Sequence, residues 1–218
     1  MAAHKLNQKA KPTVARKTKA EAQKTLNELL DAAAWLFQTK GVNHTTLNHI
    51  ASHAGVTRGA LYWHFANKDA VIMALWERDA AVPHSQIIQM LSNVSGNADE
   101  FKQLIKSELG AALNNAALMQ ALRMILLGVE RLENDSELQS FLAERHQQMR
   151  DGFKKAFIAL QAAGKVPLNS RPEALATSFW AYLKGLMQLH LEPYNQDVDL
   201  LKDGDELLNI WLDAVISD

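Results

Sequence analysis

Between Thr57 and Phe65 the chain reads TRGALYWHF. As a helix, this stretch turns about 100° per residue, so Arg58 and Tyr62 lie roughly 40° apart and Gly59 and Trp63 likewise, all four within an arc of about 140°. Ala60 and Leu61 fall on the opposite side and face the protein. The arc has the chemistry of a nucleic-acid surface. A guanidinium can bond guanine O6/N7 or a phosphate, a glycine lets the backbone come close, and aromatics can touch thymine methyls or donate to phosphate oxygens. Phe65 lies beyond the arc and is expected in the core. His64 sits near the inner side, where packing and a phosphate contact both remain open.

Such a helix needs a mount, and the preceding residues supply one. Thr46 can cap a first short helix by accepting a free backbone N–H. Leu47, Ile50, Ala51 and Ala54 make its buried face, with Ala51 small enough for a second helix to cross closely. Gly55 permits the positive φ that turns the chain, Val56 enters the core, Thr57 caps the second helix and Leu61 anchors it. Two short helices at these offsets make a helix-turn-helix. Upstream, Leu26, Leu29, Leu30, Ala33 and Phe37 follow helical spacing, and Gly41 ends that helix. Trp35 lies off the stripe and is expected against a neighbouring helix. Lys68, starting the next helix, is placed to reach a phosphate backbone, which a free helix N-terminus also favours.

The 218 residues are 48% hydrophobic and 22% charged and include no cysteine, which suits a soluble protein and excludes disulfides, thiolate metal sites and cysteine nucleophiles. The apolar stretch around Met119 to Val129 is too short and polar to span a bilayer, and the basic N-terminus lacks the apolar core of a signal peptide. A cytoplasmic protein with no membrane partner is expected. The net charge of −1 hides a division: residues 1–69 carry ten Lys/Arg against four Asp/Glu, a net of +6, while residues 70–218 carry a net of −7. A polyanion fits the basic part, although solubility alone would produce the same split.

The remainder reads as longer helices near 68–91, 99–115, 117–132, 136–163, 172–191 and 203–216, without the period-two alternation of strands or a repeat. The expected fold is all-α, about nine helices: a flexible basic arm over 1–22, a helix-turn-helix DNA-binding domain over 23–69, and an effector-binding and dimerisation domain over 70–218. The lysines of the arm either add phosphate contacts or are a solvated extension.

TTLNHIASHA followed by GVTRGALYWHFANKDAVIMALW, with ARKTKAEA, LLDAAAWLF and Gly41-Val42 upstream, resembles the N-terminal helix-turn-helix of the TetR/AcrR transcriptional regulators, and among them the AcrR-type repressors of multidrug efflux pumps. The resemblance is specific over about residues 15–80; beyond that it is one of helical character and length. It implies a homodimer reading successive major grooves of a palindromic double-stranded DNA operator, with half-sites about 34–36 Å apart or a multiple of it. The family's DNA-contacting positions fall on Thr46, Asn48, Thr57, Arg58, Gly59, Tyr62, Trp63, His64 and Lys68. Leu26 departs from the family, which often has a basic residue there, and the arm before Ala15 is longer than usual.

Farther along, Ser170 and Glu173 around Pro172 read as a capping box, and the helix after it is apolar nearly all round. The last helix is similar. Ala181 and Gly185 permit close approach, so a four-helix dimer interface is expected through Phe179, Tyr182, Leu183, Leu186, Leu208, Trp211 and Val215. Two central helices of a monomer would look alike. An effector pocket is expected among Phe101, Glu108, Met119, Met124, Glu130, Phe153, Phe157 and Trp180, where a buried carboxylate would suit a cationic, hydrophobic, drug-like ligand. His49 and His53 have metal-ligand spacing but no third ligand nearby, so no metal is expected. No cofactor or enzyme motif appears. The expected function is a ligand-responsive repressor, with efflux control inferred from the resemblance. A sequence-neutral architectural DNA binder and an all-α sensor or enzyme without operator binding are the alternatives.

Overall fold

The apolar stripe opening at Leu26 belongs to a helix that starts earlier. In the computed structural model, which describes residues 19–128, 136–195 and 197–217, α1 spans Lys19–Lys40. Thr25 holds that first turn, its side chain buried and its hydroxyl donating to the Glu21 carbonyl at 3.0 Å. Residues 19–22 are therefore helical, and the rest of the expected arm lies outside the described residues. Two short helices follow, α2 (Leu47–His53) and α3 (Arg58–His64), then α4 (Lys68–Asp79), α5 (Ala81–Ser92), α6 (Ala98–Leu113), α7 (Ala116–Gly128), α8 (Glu137–Ala162), α9 (Pro172–Leu191) and α10 (Leu200–Val215). The described residues thus hold ten helices and no strand.

The extra helix comes from a break. The expected helix over 68–91 is two, parted at Ala80, whose φ of −123° and ψ of −20° leave the helical region. Pro83 explains it: inside a continuous helix its ring would meet the Asp79 carbonyl, whereas in a first turn its missing N–H costs nothing. A second departure is at α9. Ser170 is one residue too early to cap it; Arg171 is the N-cap with no side-chain bond, Pro172 takes the first helical position, and the Glu173 carboxylate instead pairs with Lys154 of α8 at 2.8 Å.

Two large apolar cores result, with a small cluster of Trp76, Ala80 and Ala121 beside them. The first joins α1 to α4 around Leu29, Ile50, Leu61 and Ile72, and also takes in Met124 of α7 and Leu138 and Leu142 of α8. The second joins α5, α6, α8, α9 and α10 around a nest of rings. Phe153 meets Phe179 edge-on at 5.2 Å, Phe101 lies 5.5 Å from Phe157, and Phe179 lies 4.6 Å from Trp211. Each such ring pair adds about 0.5–1.5 kcal/mol beyond the area it buries. Helix α8, about 39 Å long at 1.5 Å per residue, contributes side chains to both cores and so links them.

This packing corrects four expected site residues. Phe101 and Phe157, expected on a pocket wall, have no exposed surface and fill the ring nest. Phe179 and Leu208, expected on a face shared with a second copy, are likewise fully buried inside the subunit. A helix apolar on all sides still sends its largest side chains inward, where they remove most area from water.

Candidate nucleic-acid interface and effector cavity

The α2–α3 unit is fastened at each joint. The Thr46 hydroxyl accepts the His49 N–H at 3.2 Å while His49 Nδ1 accepts the Thr46 N–H at 3.3 Å, a capping box with histidine in the place of glutamate. Gly55 takes a φ of +67°, and Val56 returns its N–H to the Ala51 carbonyl at 3.0 Å. Thr57 caps α3 through the Ala60 N–H at 3.2 Å. His53 stacks on Trp35, centroids 4.4 Å apart and planes 12° from parallel, which ties α2 to α1.

So held, α3 is anchored by Leu61, which is 1% exposed, while Tyr62 is 50% and Trp63 74% exposed. Arg58, Gly59, Thr57, Thr46 and Asn48 are exposed as well. A 74% exposed tryptophan is costly in water and has no packing role to explain it. His64 is half-buried and meets the Trp63 ring edge-on at 4.6 Å, bracing it from the protein side. Phe65 is buried. Lys68 bends back, its Nζ donating to the Val42 carbonyl at 2.9 Å.

On the far side of the first core a cavity of about 420 Å³ opens between α5, α6, α7, α8 and α9, reaching Trp76 of α4. Its volume is that of a drug-sized ligand site. Most of the wall is apolar, including Ile87, Met90, Leu122, Met149, Phe153 and Trp180. The polar groups are few: His84, Arg145, His146, Lys184, Glu108, Gln86 and Asn115. Burial holds the pKa of His84 below the usual histidine value, the nearby Arg145 charge adding to this and a backbone bond opposing it. The Arg145 carbonyl, 3.3 Å from His84 Nε2, can only accept, so that nitrogen carries the proton. His146 is depressed too, by burial first and then by the charges of Lys184, Arg150 and His84.

A smaller cavity of about 270 Å³ lies between α1 and α7, with Met124 in its wall. Beside it, Gly128 meets Val42 so closely that an added Cβ would stand 2.5 Å from a valine methyl. Among the described residues no group of three or more metal-ligating side chains is found, and no helix is long and apolar enough to cross a membrane.

Residues 29–75 match the family model described as bacterial regulatory proteins, tetR family. The HTH-type transcriptional regulator TtgR of Pseudomonas putida is 34% identical over 209 residues, covering 92% of this chain and 95% of its own. The chain belongs to the TetR family. It is a helix-turn-helix transcriptional regulator. Two solved structures extend the likeness to the whole fold. NalD, the secondary repressor of the MexAB-OprM multidrug efflux pump in Pseudomonas aeruginosa, superposes with a TM-score of 0.79 at 25% identity, covering 92% of this chain and all of that one. SmeT, the repressor of the Stenotrophomonas maltophilia multidrug efflux pump SmeDEF, gives 0.74 at 25% identity in its complex with triclosan, covering 90% and 93%.

In this TetR-family chain the nine positions expected to face DNA divide by environment. Seven are exposed on α2, α3 and their caps, whereas His64 and Lys68 are half-buried and engaged within the module. Of the expected pocket residues, Glu108, Phe153 and Trp180 line the larger cavity. Met124 lines the smaller one, Met119 neither, and Glu130 lies outside the described residues. Sequence reasoning missed His84, His146, Lys184 and Met187. Trp180, Leu183, Lys184 and Met187 stand at i, i+3, i+4 and i+7, a stripe readable in advance had a charged residue within it been taken as lining a cavity.

The residues expected on a dimer face are placed as follows. Leu183 turns into the cavity, Leu186 is buried, Tyr182 spends its hydroxyl on the Leu207 carbonyl, and Trp211 and Val215 pack half-buried on the second core. What α9 turns outward is Ala181, Gly185 and the 41% exposed Leu189, and α10 turns out Ile210, 63% exposed.

Proposed function

We propose that this regulator is a repressor of an efflux or related stress gene that binds a palindromic operator as a homodimer and is released by a small hydrophobic effector in the 420 Å³ cavity. The observation that carries the DNA half is the outward arc of α3, with Arg58, Tyr62 and Trp63 in solvent over a capped and anchored helix. Base edges in a major groove are what such an arc fits. The likeness to TtgR supports transcriptional regulation, and the likeness to NalD and SmeT supports repression and efflux control. Pairing of two copies would use the small-residue face of α9 with Ile210 of α10.

The effector half rests on shared walls. Helices α4, α7 and α8 line the cavity and also pack into the DNA module, through Ile72, Met124 and Leu142. A ligand that prefers one arrangement of these helices respaces the two α3 helices of a dimer. A preference of about 1–3 kcal/mol weakens operator binding some 5- to 150-fold. The test is capture of fragmented genomic DNA by the purified protein against excess bulk DNA, with and without triclosan as the probe. A few strongly enriched palindromic sites, lost in Tyr62→Ala and weakened by triclosan, are expected. Uniform capture of all fragments would make the protein a sequence-neutral binder.

A further inference from the structure

Helix α9 carries a single charged residue between Glu173 and Glu192, and that residue, Lys184, lines the cavity beside Trp180, Leu183 and Met187. It is half-buried, and no carboxylate pairs with it among the described residues. The other cation of the wall is spent: Arg145 binds Glu77 at 2.9 Å and Glu144 at 2.7 Å and lies over the Phe141 ring at 3.8 Å. In the same wall stands His146, its ring 6.1 Å from that of Trp180, and the nearby fixed charges acting on it are those of Lys184 and Arg150, both positive. Of the two cations in the wall, Lys184 is the one without an ion pair among the described residues. Glu108, on α6, lines the same cavity and forms no ion pair with Lys184 among the described residues.

An ammonium with no carboxylate partner in a largely apolar wall attracts an anion and repels a cation. We propose that the cavity selects aromatic acids, carboxylic acids or acidic phenols ionised at neutral pH, whose anionic oxygen pairs with Lys184 Nζ beside His146 while the ring lies against Phe153 and Trp180. This reverses the cationic ligand that Glu108 suggested in the sequence. It rests on the reading of this cavity as the effector site, and it identifies the chemical class the site prefers.

Calorimetric titration of the full protein at neutral pH with three probes of one shape tests it: 2-naphthoate, 2-naphthamide and 2-naphthylmethylammonium. The anion should bind about tenfold or more tighter than the amide, the scale of one charge-assisted hydrogen bond, and the cation weakest. Lys184→Met should erase the preference for the anion while leaving the amide within about threefold, since the methionine keeps the apolar stem. Lys184→Arg should retain it. A cation that binds at least as well as the anion, a preference that survives Lys184→Met, or no binding by any probe overturns the proposal. DNA release measured in parallel separates the two claims. Lys184-dependent binding of the anion without DNA release refutes the effector reading alone; release by the ammonium probe rather than the acid refutes the selectivity alone.

Discussion

Lys68, the first residue of α4, donates a 2.9 Å hydrogen bond from its Nζ to the carbonyl of Val42, twenty-six positions earlier in the chain. The bond ties the loop between α1 and α2 to the helix that follows α3, adding to the caps and the core that seat the helix-turn-helix. An ammonium has three donors, and the bond uses one. The other two remain for a phosphate. Lys68→Met should therefore do two things at once. It should lower stability by about 1–2 kcal/mol through loss of a charged hydrogen bond, read by urea unfolding. It should also reduce the salt dependence of DNA binding by about one unit of slope. Unchanged stability would show that the loop does not depend on this bond.

Gly59 separates the demands of folding from those of DNA approach. A Cβ built there meets nothing closer than the Thr57 hydroxyl at 4.0 Å, so alanine fits without strain. Inside a helix, alanine is favoured over glycine by about 1 kcal/mol. Gly59→Ala should raise the melting temperature and yet weaken operator binding by about tenfold or more, the scale of one lost contact at a specific interface. The two changes have opposite sign. An affinity that stays put or rises would mean that the backbone at Gly59 does not approach DNA.

The reading module was legible in the sequence because local rules fix it. Caps at Thr46 and Thr57, a left-handed turn at Gly55 and a leucine anchor are short-range features, and they appear where the offsets put them. The effector region was less legible. Its assignment depends on which side of an all-apolar helix meets which neighbour, and nothing local distinguishes Phe179 in the core from Leu183 on a cavity. The break at Ala80 was written in Pro83, yet periodicity runs through it and outweighs a single proline. Charge told more than apolarity would have: Lys184 alone on α9 marks the wall of the cavity, while the carboxylates drew attention to Glu108.

The two cavity histidines make stability sensitive to mild acid. Burial keeps His84 and His146 neutral in the folded protein to a lower pH than in the unfolded chain. The unfolded state then binds more protons below its own histidine pKa, about 6.5, and stability must fall as pH falls through that value toward the lower folded ones. Above it the effect is fully present and flat. Thermal melts between neutral pH and mild acid should show this decline, and His146→Gln should make it shallower by removing one site of proton uptake. A variant with an unaltered slope would assign the decline to other groups.

Phe179 and Ile210 lie on neighbouring helices, and the structure gives them opposite duties. Phe179 is fully buried and touches Phe101, Phe153, Phe157 and Trp211, whereas Ile210 is 63% exposed on α10. Truncating the first leaves a void that rigid rings on several sides cannot close, so Phe179→Ala should cost about 3–5 kcal/mol and broaden or abolish cooperative unfolding. Charging the second removes nothing from the core. If α9 and α10 form the face between two copies, Ile210→Asp should leave each subunit folded while splitting the dimer, because a carboxylate buried at a symmetric interface meets its own copy without a partner cation. Sedimentation with circular dichroism distinguishes the two variants. An Ile210→Asp protein that remains dimeric would move the interface away from this face, and operator binding that persists in a true monomer would show that pairing does not set the spacing of the two α3 helices.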